Sequence, residues 1–171
     1  STRDHVKFVV VGSGPELEQL KQLVKKHNIQ ENVTFTGAQP WDIIGLYYQL
    51  GDLFISASKS ETQGLTYIEA MAAGLPIVAK QDKCLQDILE PGWNGYEFTN
   101  REEMIKGLDA IFYGKDGIAY GKNARNKVKK YSAVEFASSV NEVYERVLER
   151  FVESDQRESY ESRKISNLFH M

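Results

Sequence analysis

Short apolar runs alternate with helical patterns along the first hundred residues. The first run, Val6–Gly12 (VKFVVVG), is nearly continuous and rich in valine, which is typical of a strand covered on both faces of a parallel sheet. After the turn GSGP, apolar side chains recur at helical spacing, at Leu17, Leu20, Leu23 and Val24. The pattern predicts a strand, a glycine turn and a helix in succession.

The same alternation continues to the stretch GYEF. Further strands are predicted for NVTFTG, DLFISAS, LPIVAK and GYEF, and helices for PWDIIGLYYQLG, GLTYIEAMAAG and KCLQDILEPG. Alternating strands and helices with short connections favour an α/β fold with a Rossmann-like, open, mostly parallel sheet and helices on both faces. Ligands of such sheets bind beyond the carboxyl ends of the strands, so the loops there are the candidate site.

From Asn100 onward the pattern is helical. One helix face is predicted to carry Phe136, Val140, Val143, Tyr144 and Val147. Ser132 and Glu135 have the spacing of a capping box at the start of that helix. The last residues are polar and lack a clear period. We therefore predict one α/β domain over residues 1–150 and a polar tail or interdomain segment over residues 151–171.

Composition narrows the function classes. The 171 residues are 42% hydrophobic and 26% charged, as in an ordinary globular domain. A net charge of -3 shows no basic excess, so nucleic acid is not an expected partner. No apolar run approaches the ~18 residues of a spanning helix, so any membrane contact is expected to be peripheral. The single cysteine, Cys84, excludes an intrachain disulfide and fits a cytoplasmic location.

Two glutamates flank a predicted helix start in SETQGLTYIEAMAAGLPIVA. The N–H groups of Gly64, Leu65 and Thr66 are free donors there and suit a diphosphate. Glu69 follows about one and a half turns later, roughly 7 Å along the axis, within reach of hydroxyls beside a bound phosphate. Glu61, in the preceding loop, lies where an attached sugar would extend. Because carboxylates accept hydrogen bonds from sugar hydroxyls, the pair indicates a site for a sugar joined to a diphosphate.

The spacing of these glutamates, with EAMAAGLPIVA, GSGPELEQL and NVTFTG around it, resembles the carboxyl-terminal half of a GT-B glycosyltransferase of retaining family 4. The resemblance covers Val6 to about Arg150. More narrowly, LFISASKSETQGLTYIEAMAAG resembles bacterial enzymes that transfer glucose from UDP-glucose to diacylglycerol. It implies retaining transfer of a hexose, expected to be glucose from UDP-glucose, to a lipid or glycan acceptor.

The resemblance also implies a role for each motif residue. Glu61 is the catalytic residue beside the donor sugar, and Glu69 holds the ribose hydroxyls. The other donor-binding residues it implies are Gln63, Gly64, Leu65, Thr66, Gly12, Gly14, Thr36, Gly37, Ala38 and Gln39, the last four in a loop that contacts the base. No metal or other cofactor is expected, because no Asp-x-Asp motif occurs in the matching loops.

Each signal also has a simpler explanation. Glutamates at a helix start are commonly solvated capping charges, and GSGP lacks the third glycine of a dinucleotide fingerprint. Trp41, Tyr47 and Tyr48 suit the buried side of a helix, and Cys84 a loop or helix start. A solvated helix face is favoured over anionic lipid for the basic residues Lys122, Arg125, Lys127, Lys129 and Lys130. A noncatalytic nucleotide-sugar-binding module and a GT-B-like UDP-sugar epimerase remain alternatives.

The family's domain begins with an earlier strand and a Gly-Arg…Glu-Lys segment that clamps the donor phosphates, and neither matches this sequence. The chain alone is therefore expected not to catalyse transfer and to bind a diphosphate only at ~0.1 to several mM. The acceptor is expected to bind largely through an amino-terminal domain. The earlier strand belongs between the strands at Val6 and Asp52, so altered strand pairing or self-association is expected. A peripheral contact with the inner face of the membrane fits a lipid acceptor.

Overall fold

Strands and helices alternate along the chain as far as Phe98. A computed structural model describes residues 6–58, 64–114 and 117–168, and the side chains of residues 6–58, 64–114 and 119–152. The strands are β1 (Phe8–Val11), β2 (Val33–Gly37), β3 (Phe54–Ser56), β4 (Ile77–Lys80) and β5 (Gly95–Phe98). The helices are α1 (Leu17–Lys26), α2 (Trp41–Gln49), α3 (Leu65–Ala72), α4 (Arg101–Tyr113), α5 (Gly117–Val128) and α6 (Ala133–Leu168).

All the strand pairs are parallel, which confirms the α/β class. The described strands form two sheets, one of order β1-β2 and one of order β3-β4-β5. Phe8 pairs with Val33 in the first sheet, and Ile77 pairs with both Phe54 and Gly95 in the second. Within the described residues, β1 pairs only with β2 and β3 only with β4, so strand pairing is interrupted between β1 and β3. Self-association stays a prediction.

The hydrophobic core lies around β4. Ile77, Val78 and Ala79 are fully buried, because β4 is the central strand of its sheet. Val78 of this strand packs with Phe98 of β5, Ile111 of α4 and Tyr120 of α5. This core supports α3, the helix that carries the candidate site.

The start of α4 is capped by its own side chains. Asn100 accepts a hydrogen bond from the Glu103 N–H at 3.0 Å, and Glu103 accepts from the Thr99 N–H at 2.7 Å. The Thr99 N–H and hydroxyl lower the pKa of the Glu103 carboxyl, because both bonds favour its charged form. This reciprocal capping fixes the turn that joins β5 to α4.

Two burial expectations were wrong. Strand β1 is not covered on both faces, since Phe8 is 48% exposed and Val9 is 45% exposed. Trp41 does not lie on the buried side of α2, since it is 86% exposed at the first helical residue. Tyr47 and Tyr48 are half-buried. Valine-rich and aromatic runs predict the strand and the helix correctly but do not show which neighbour covers them.

The chain divides after Arg125 into two compact units, Ser1–Arg125 and Asn126–Met171. Helix α6 in the second unit begins as expected, with Ser132 Oγ accepting from the Glu135 N–H at 3.3 Å. Its apolar face is exposed, with Phe136 at 69% and Tyr144 at 65%. The segment interpreted as a tail or an interdomain segment is helical as far as Leu168. No helix in the described ranges is long and apolar enough to cross a membrane.

Candidate functional site

The start of α3 is built around a glycine that no other residue replaces without strain. Gly64 has φ 64° and ψ 28°, the left-handed conformation. A β-carbon at Gly64 would lie 3.2 Å from Tyr67 Cδ2 and 3.4 Å from Ile88 Cδ1, with Cys84 Sγ at 3.7 Å. The glycine therefore lets the backbone turn into the helix within a closely packed setting, and the approach of a ligand to this backbone stays a prediction.

The first turn of α3 has the donors that the sequence predicted. The Gly64 carbonyl accepts hydrogen bonds from the N–H groups of Tyr67 at 3.0 Å and Ile68 at 3.2 Å. The N–H groups of Leu65 and Thr66 precede these bonds and have no acceptor within the helix, as at every helix start. Both residues are exposed. The start of α3 therefore carries backbone donors that have no partner within the helix, and the positive end of the helix dipole.

Helix α3 is held rigidly at its inner face and its far end. Tyr67, Ala70 and Met71 are fully buried. At the carboxyl end, Arg125 Nη2 donates a hydrogen bond to the Ala73 carbonyl at 2.9 Å, which places a cation at the negative end of the dipole. Such fixation keeps the donors of the first turn in place.

Glu69 lies on the exposed side of α3. Tyr48 Oη donates a hydrogen bond to Glu69 Oε2 at 3.0 Å, across from α2 to α3. A carboxylate has about four acceptor positions on two oxygens, so the carboxylate of Glu69 retains room for further donors such as ribose hydroxyls. The sequence pattern indicates only a packing role for Tyr48, so it does not predict this contact. The one available signal is a hydroxyl-bearing residue at a half-buried helix position.

The glycine turns after β1 and β2 lie together at the end of the first sheet. The Gly12 N–H donates to the Gly37 carbonyl at 2.8 Å, and both glycines have positive φ, 132° and 72°. Gln39 Nε2 donates to the Thr36 carbonyl at 2.8 Å, which fixes the loop that was expected to contact a base. A β-carbon at Gly12, Gly14 or Gly37 would meet nothing within 4 Å, so this backbone borders open space.

The predicted site residues therefore fall into two groups. One group lies after β1 and at the end of β2, and contains Gly12, Gly14, Thr36, Gly37, Ala38 and Gln39. The other group lies at the start of α3 and along it, after β3 of the second sheet, and contains Gly64, Leu65, Thr66 and Glu69. Glu61 and Gln63 lie outside the described residues. Among the described residues, no three histidine, cysteine, aspartate or glutamate side chains are placed to hold one metal ion.

The segment after β4 differs from the expected short helix. It contains a 3₁₀ turn at Lys83–Leu85, begun by Asp82, whose carboxylate accepts from the Cys84 N–H at 3.0 Å. Further along this segment, the fully buried side chain of Asn94 bonds two backbone groups. It donates to the Ile88 carbonyl at 2.9 Å and accepts from the Glu90 N–H at 2.8 Å. This segment holds Ile88 and Cys84 beside Gly64. Cys84 does lie in a short turn, as predicted.

The basic residues after the α4 helix are mostly solvated. Lys122, Lys129 and Lys130 are exposed, and Lys127 is half-buried. Arg125 is exposed as well and caps α3. Such exposure fits contact with water and contact with anionic lipid equally well, so the preference for a solvated helix face stays a prediction.

The family model described as "Glycosyl transferases group 1" matches residues 1–134. The chain belongs to this family. The match contains both groups of candidate residues and extends from β1 to the first residues of α6.

Two curated relatives of this group 1 glycosyltransferase domain carry the same name. The alpha-monoglucosyldiacylglycerol synthase of Acholeplasma laidlawii is 35% identical over 139 residues, which are 81% of this chain and 35% of the relative. The enzyme of that name from Streptococcus pneumoniae is 36% identical over 142 residues, which are 82% of this chain and 32% of the relative. The chain thus spans about a third of the length of these relatives.

A solved structure shares the fold. A variant of TarM from S. aureus, crystallised with UDP, alpha-GlcNAc-glycerol and Fondaparinux, is 25% identical and superposes with a TM-score of 0.68. The superposition covers 81% of this chain and 29% of that protein. The likeness confirms the GT-B type of α/β fold predicted from the sequence.

Proposed function

We propose that this chain is the donor-binding, carboxyl-terminal domain of a retaining family 4 glycosyltransferase. The reaction is transfer of glucose from UDP-glucose to diacylglycerol. The observation that carries the proposal is α3 itself, which combines a glycine-led start, backbone donors without helical partners and an exposed residue, Glu69, that carries a carboxylate. The two curated relatives named for monoglucosyldiacylglycerol support the sugar and the acceptor, and the solved relative that holds UDP supports the nucleotide.

The chemistry follows from where charge develops. As the bond from the sugar to the diphosphate breaks, negative charge grows on the leaving phosphate and positive charge on the sugar ring. The Leu65 and Thr66 N–H groups and the α3 dipole would stabilise the negative charge on the leaving phosphate, since fixed donors need no reorganisation during the reaction. Glu61 would stabilise the positive charge on the sugar ring, without forming a covalent intermediate. The acceptor oxygen then replaces the diphosphate on the same face of the sugar.

The remaining donor contacts are assigned by the same resemblance. Glu69 would hold the ribose hydroxyls, and Gln63 would lie beside the diphosphate. The loop Thr36–Gln39 would meet the base with its backbone, and Gly12 and Gly14 would border the donor. No metal is part of this proposal, because the start of α3 offers backbone N–H donors and the positive end of a helix dipole to the diphosphate. A lipid acceptor implies peripheral contact of the whole protein with the membrane, at its cytoplasmic face.

A transfer assay tests the reaction. The protein that contains this chain, given UDP-glucose labelled in the sugar and diacylglycerol, is expected to form α-glucosyldiacylglycerol. The chain alone is expected to form none, since the amino-terminal domain would bind most of the acceptor. Binding of UDP-glucose without transfer by the whole protein would instead identify a noncatalytic module, and a changed sugar configuration in free UDP-sugar would identify an epimerase.

Replacement of Glu69 by alanine tests the site. We expect Glu69→Ala to weaken UDP binding by about 1.5 to 3 kcal/mol, because it removes a charged acceptor of ribose hydrogen bonds. Isothermal calorimetry with UDP on the protein that contains this chain measures the change. The matched control is Glu103→Ala, an exposed glutamate that caps α4 and lies outside the site. Equal UDP affinity of the Glu69 variant and the unaltered chain would exclude the ribose role.

A further inference from the structure

The contact between Tyr48 and Glu69 joins two helices at the candidate site. Tyr48 belongs to α2 and Glu69 to α3, and the hydroxyl-to-carboxylate distance is 3.0 Å. Glu69 is exposed and Tyr48 is half-buried. A side chain on the surface is therefore bonded by the hydroxyl of a half-buried residue on a neighbouring helix.

The ring of Tyr48 is fixed by an aromatic series that reaches the core. It packs edge-on against Phe54 of β3, with centroids 5.8 Å apart and planes at 62°. Phe54 packs edge-on in turn against the fully buried Tyr67 of α3, also at 5.8 Å, with planes at 81°. Because Tyr67 and Glu69 lie on the same helix, the series ties the Tyr48 hydroxyl to the element that carries its acceptor.

We propose that Tyr48 is a positioning residue for nucleotide recognition: its hydroxyl holds Glu69 in the orientation that binds the two ribose hydroxyls. This inference rests on the proposed function, because it takes Glu69 as the ribose acceptor. It adds a residue on a different helix, outside the motif that carries the two glutamates.

The physical reason is the freedom of a glutamate side chain. An exposed glutamate samples many rotamers, and ordering it when a ligand binds costs conformational entropy. A hydrogen bond from Tyr48 to Oε2 orders the side chain before the ligand arrives and leaves Oε1 and the second position of Oε2 as acceptors. The ligand then binds a preorganised carboxylate, and part of the entropy cost is removed from binding.

The test uses Tyr48→Phe, which keeps the ring packed on Phe54 and removes only the hydroxyl. The probes are UDP and 2′-deoxy-UDP, and their binding to the protein that contains this chain is measured by calorimetry. We expect Tyr48→Phe to weaken UDP binding about three- to tenfold, the effect of one hydrogen bond. The preference for UDP over the 2′-deoxy analogue is expected to fall by a similar factor, which a merely structural role would not change.

Two further variants sharpen the result. Tyr47→Phe, the same change at the neighbouring position of α2, is expected to leave UDP affinity unaltered. In a Glu69→Ala background, Tyr48→Phe is expected to have no further effect, since its partner is gone. The melting temperature of each variant, taken from circular dichroism, checks that the fold is kept.

The outcomes separate this inference from the proposed function. If Glu69→Ala weakens UDP binding but Tyr48→Phe leaves both affinity and 2′-hydroxyl preference unchanged, the positioning role is wrong and the ribose site stands. An equal loss for UDP and the 2′-deoxy analogue in Tyr48→Phe also contradicts positioning through Glu69. If Glu69→Ala binds UDP like the unaltered protein, or the protein that contains this chain binds no UDP, both proposals fail.

Discussion

Replacing Gly64 by alanine is expected to weaken UDP binding at least tenfold and to lower the free energy of unfolding by about 2 kcal/mol. The left-handed conformation costs an L-residue about 1–2 kcal/mol. The new methyl group would also stand 3.2 Å from the Tyr67 ring and 3.4 Å from Ile88. Relief of that contact moves the first turn of α3, so the N–H donors of Leu65 and Thr66 lose their alignment with the diphosphate. Urea unfolding and calorimetry with UDP measure the two effects.

Gly92→Ala is the matched control. Gly92 also has a positive φ, 79°, but a β-carbon there would meet nothing within 4 Å. Gly92→Ala is therefore expected to lower the free energy of unfolding through the conformational cost alone, without crowding, and to leave UDP affinity unchanged. If Gly64→Ala binds UDP as tightly as Gly92→Ala does, the start of α3 is not the diphosphate site.

Replacing Asn94 by alanine is expected to lower the free energy of unfolding by about 2 to 4 kcal/mol. The Asn94 side chain is fully buried and bonds both the Ile88 carbonyl at 2.9 Å and the Glu90 N–H at 2.8 Å. Removing it deprives two backbone groups of their partner, and each buried group left unsatisfied costs about 1–3 kcal/mol. Because Ile88 packs beside Gly64, the candidate site is expected to become less ordered as well. The midpoint of urea unfolding at constant slope measures the loss.

Asn123→Ala provides the comparison for this second variant. Asn123 also donates one side-chain hydrogen bond to a backbone carbonyl, that of Trp93 at 2.8 Å, but at an exposed location. Water replaces such a bond, so we expect a loss below about 1 kcal/mol. Similar losses for the two asparagine variants would show that the buried network around Asn94 does not stabilise this segment.

The local elements followed closely from the sequence because each depends on nearby residues. The run NVTFTG became β2, and GYEF became β5 with the same bounds. The start of α3 at a glycine was also predictable, since the apolar pattern and the turn residue agree. The capping of α6 by Ser132 needed only a three-residue spacing.

The elements that depend on distant partners were less predictable. The pattern predicts that β1 is a strand, but the exposure of Phe8 and Val9 depends on which strand lies next to them. The stretch KCLQDILEPG has helical spacing, yet Asp82 and Asn94 bond its backbone instead, and Asn94 comes from beyond the stretch. The spacing of apolar residues does not show that side chains outside the stretch compete for its backbone hydrogen bonds.

The candidate site was predictable in its motif and not in its support. Gly64, Leu65 and Glu69 were found from one continuous stretch. The hydroxyl of Tyr48 was missed because it lies 21 positions before Glu69 in the chain, and a tyrosine on a helix face is ordinarily a packing residue. The contact of Cys84 and Ile88 with Gly64 was missed for the same reason.

The uneven burial of the described residues affects which part of the protein unfolds locally first in solution. Every fully buried residue of the described chain lies between Gly64 and Val128, whereas residues 6–58 are only half-buried or exposed. Local opening is cheapest where few apolar contacts are lost, so the amide protons of β1 and β2 are expected to exchange with solvent long before those of β4. In the proposed complex, the diphosphate would then meet a rigid helix, while the base would meet a loop that the nucleotide itself must order. The free energy of nucleotide binding would then include the cost of ordering the β1-β2 sheet. Hydrogen exchange with and without UDP would show this ordering as protection gained in β1 and β2 alone.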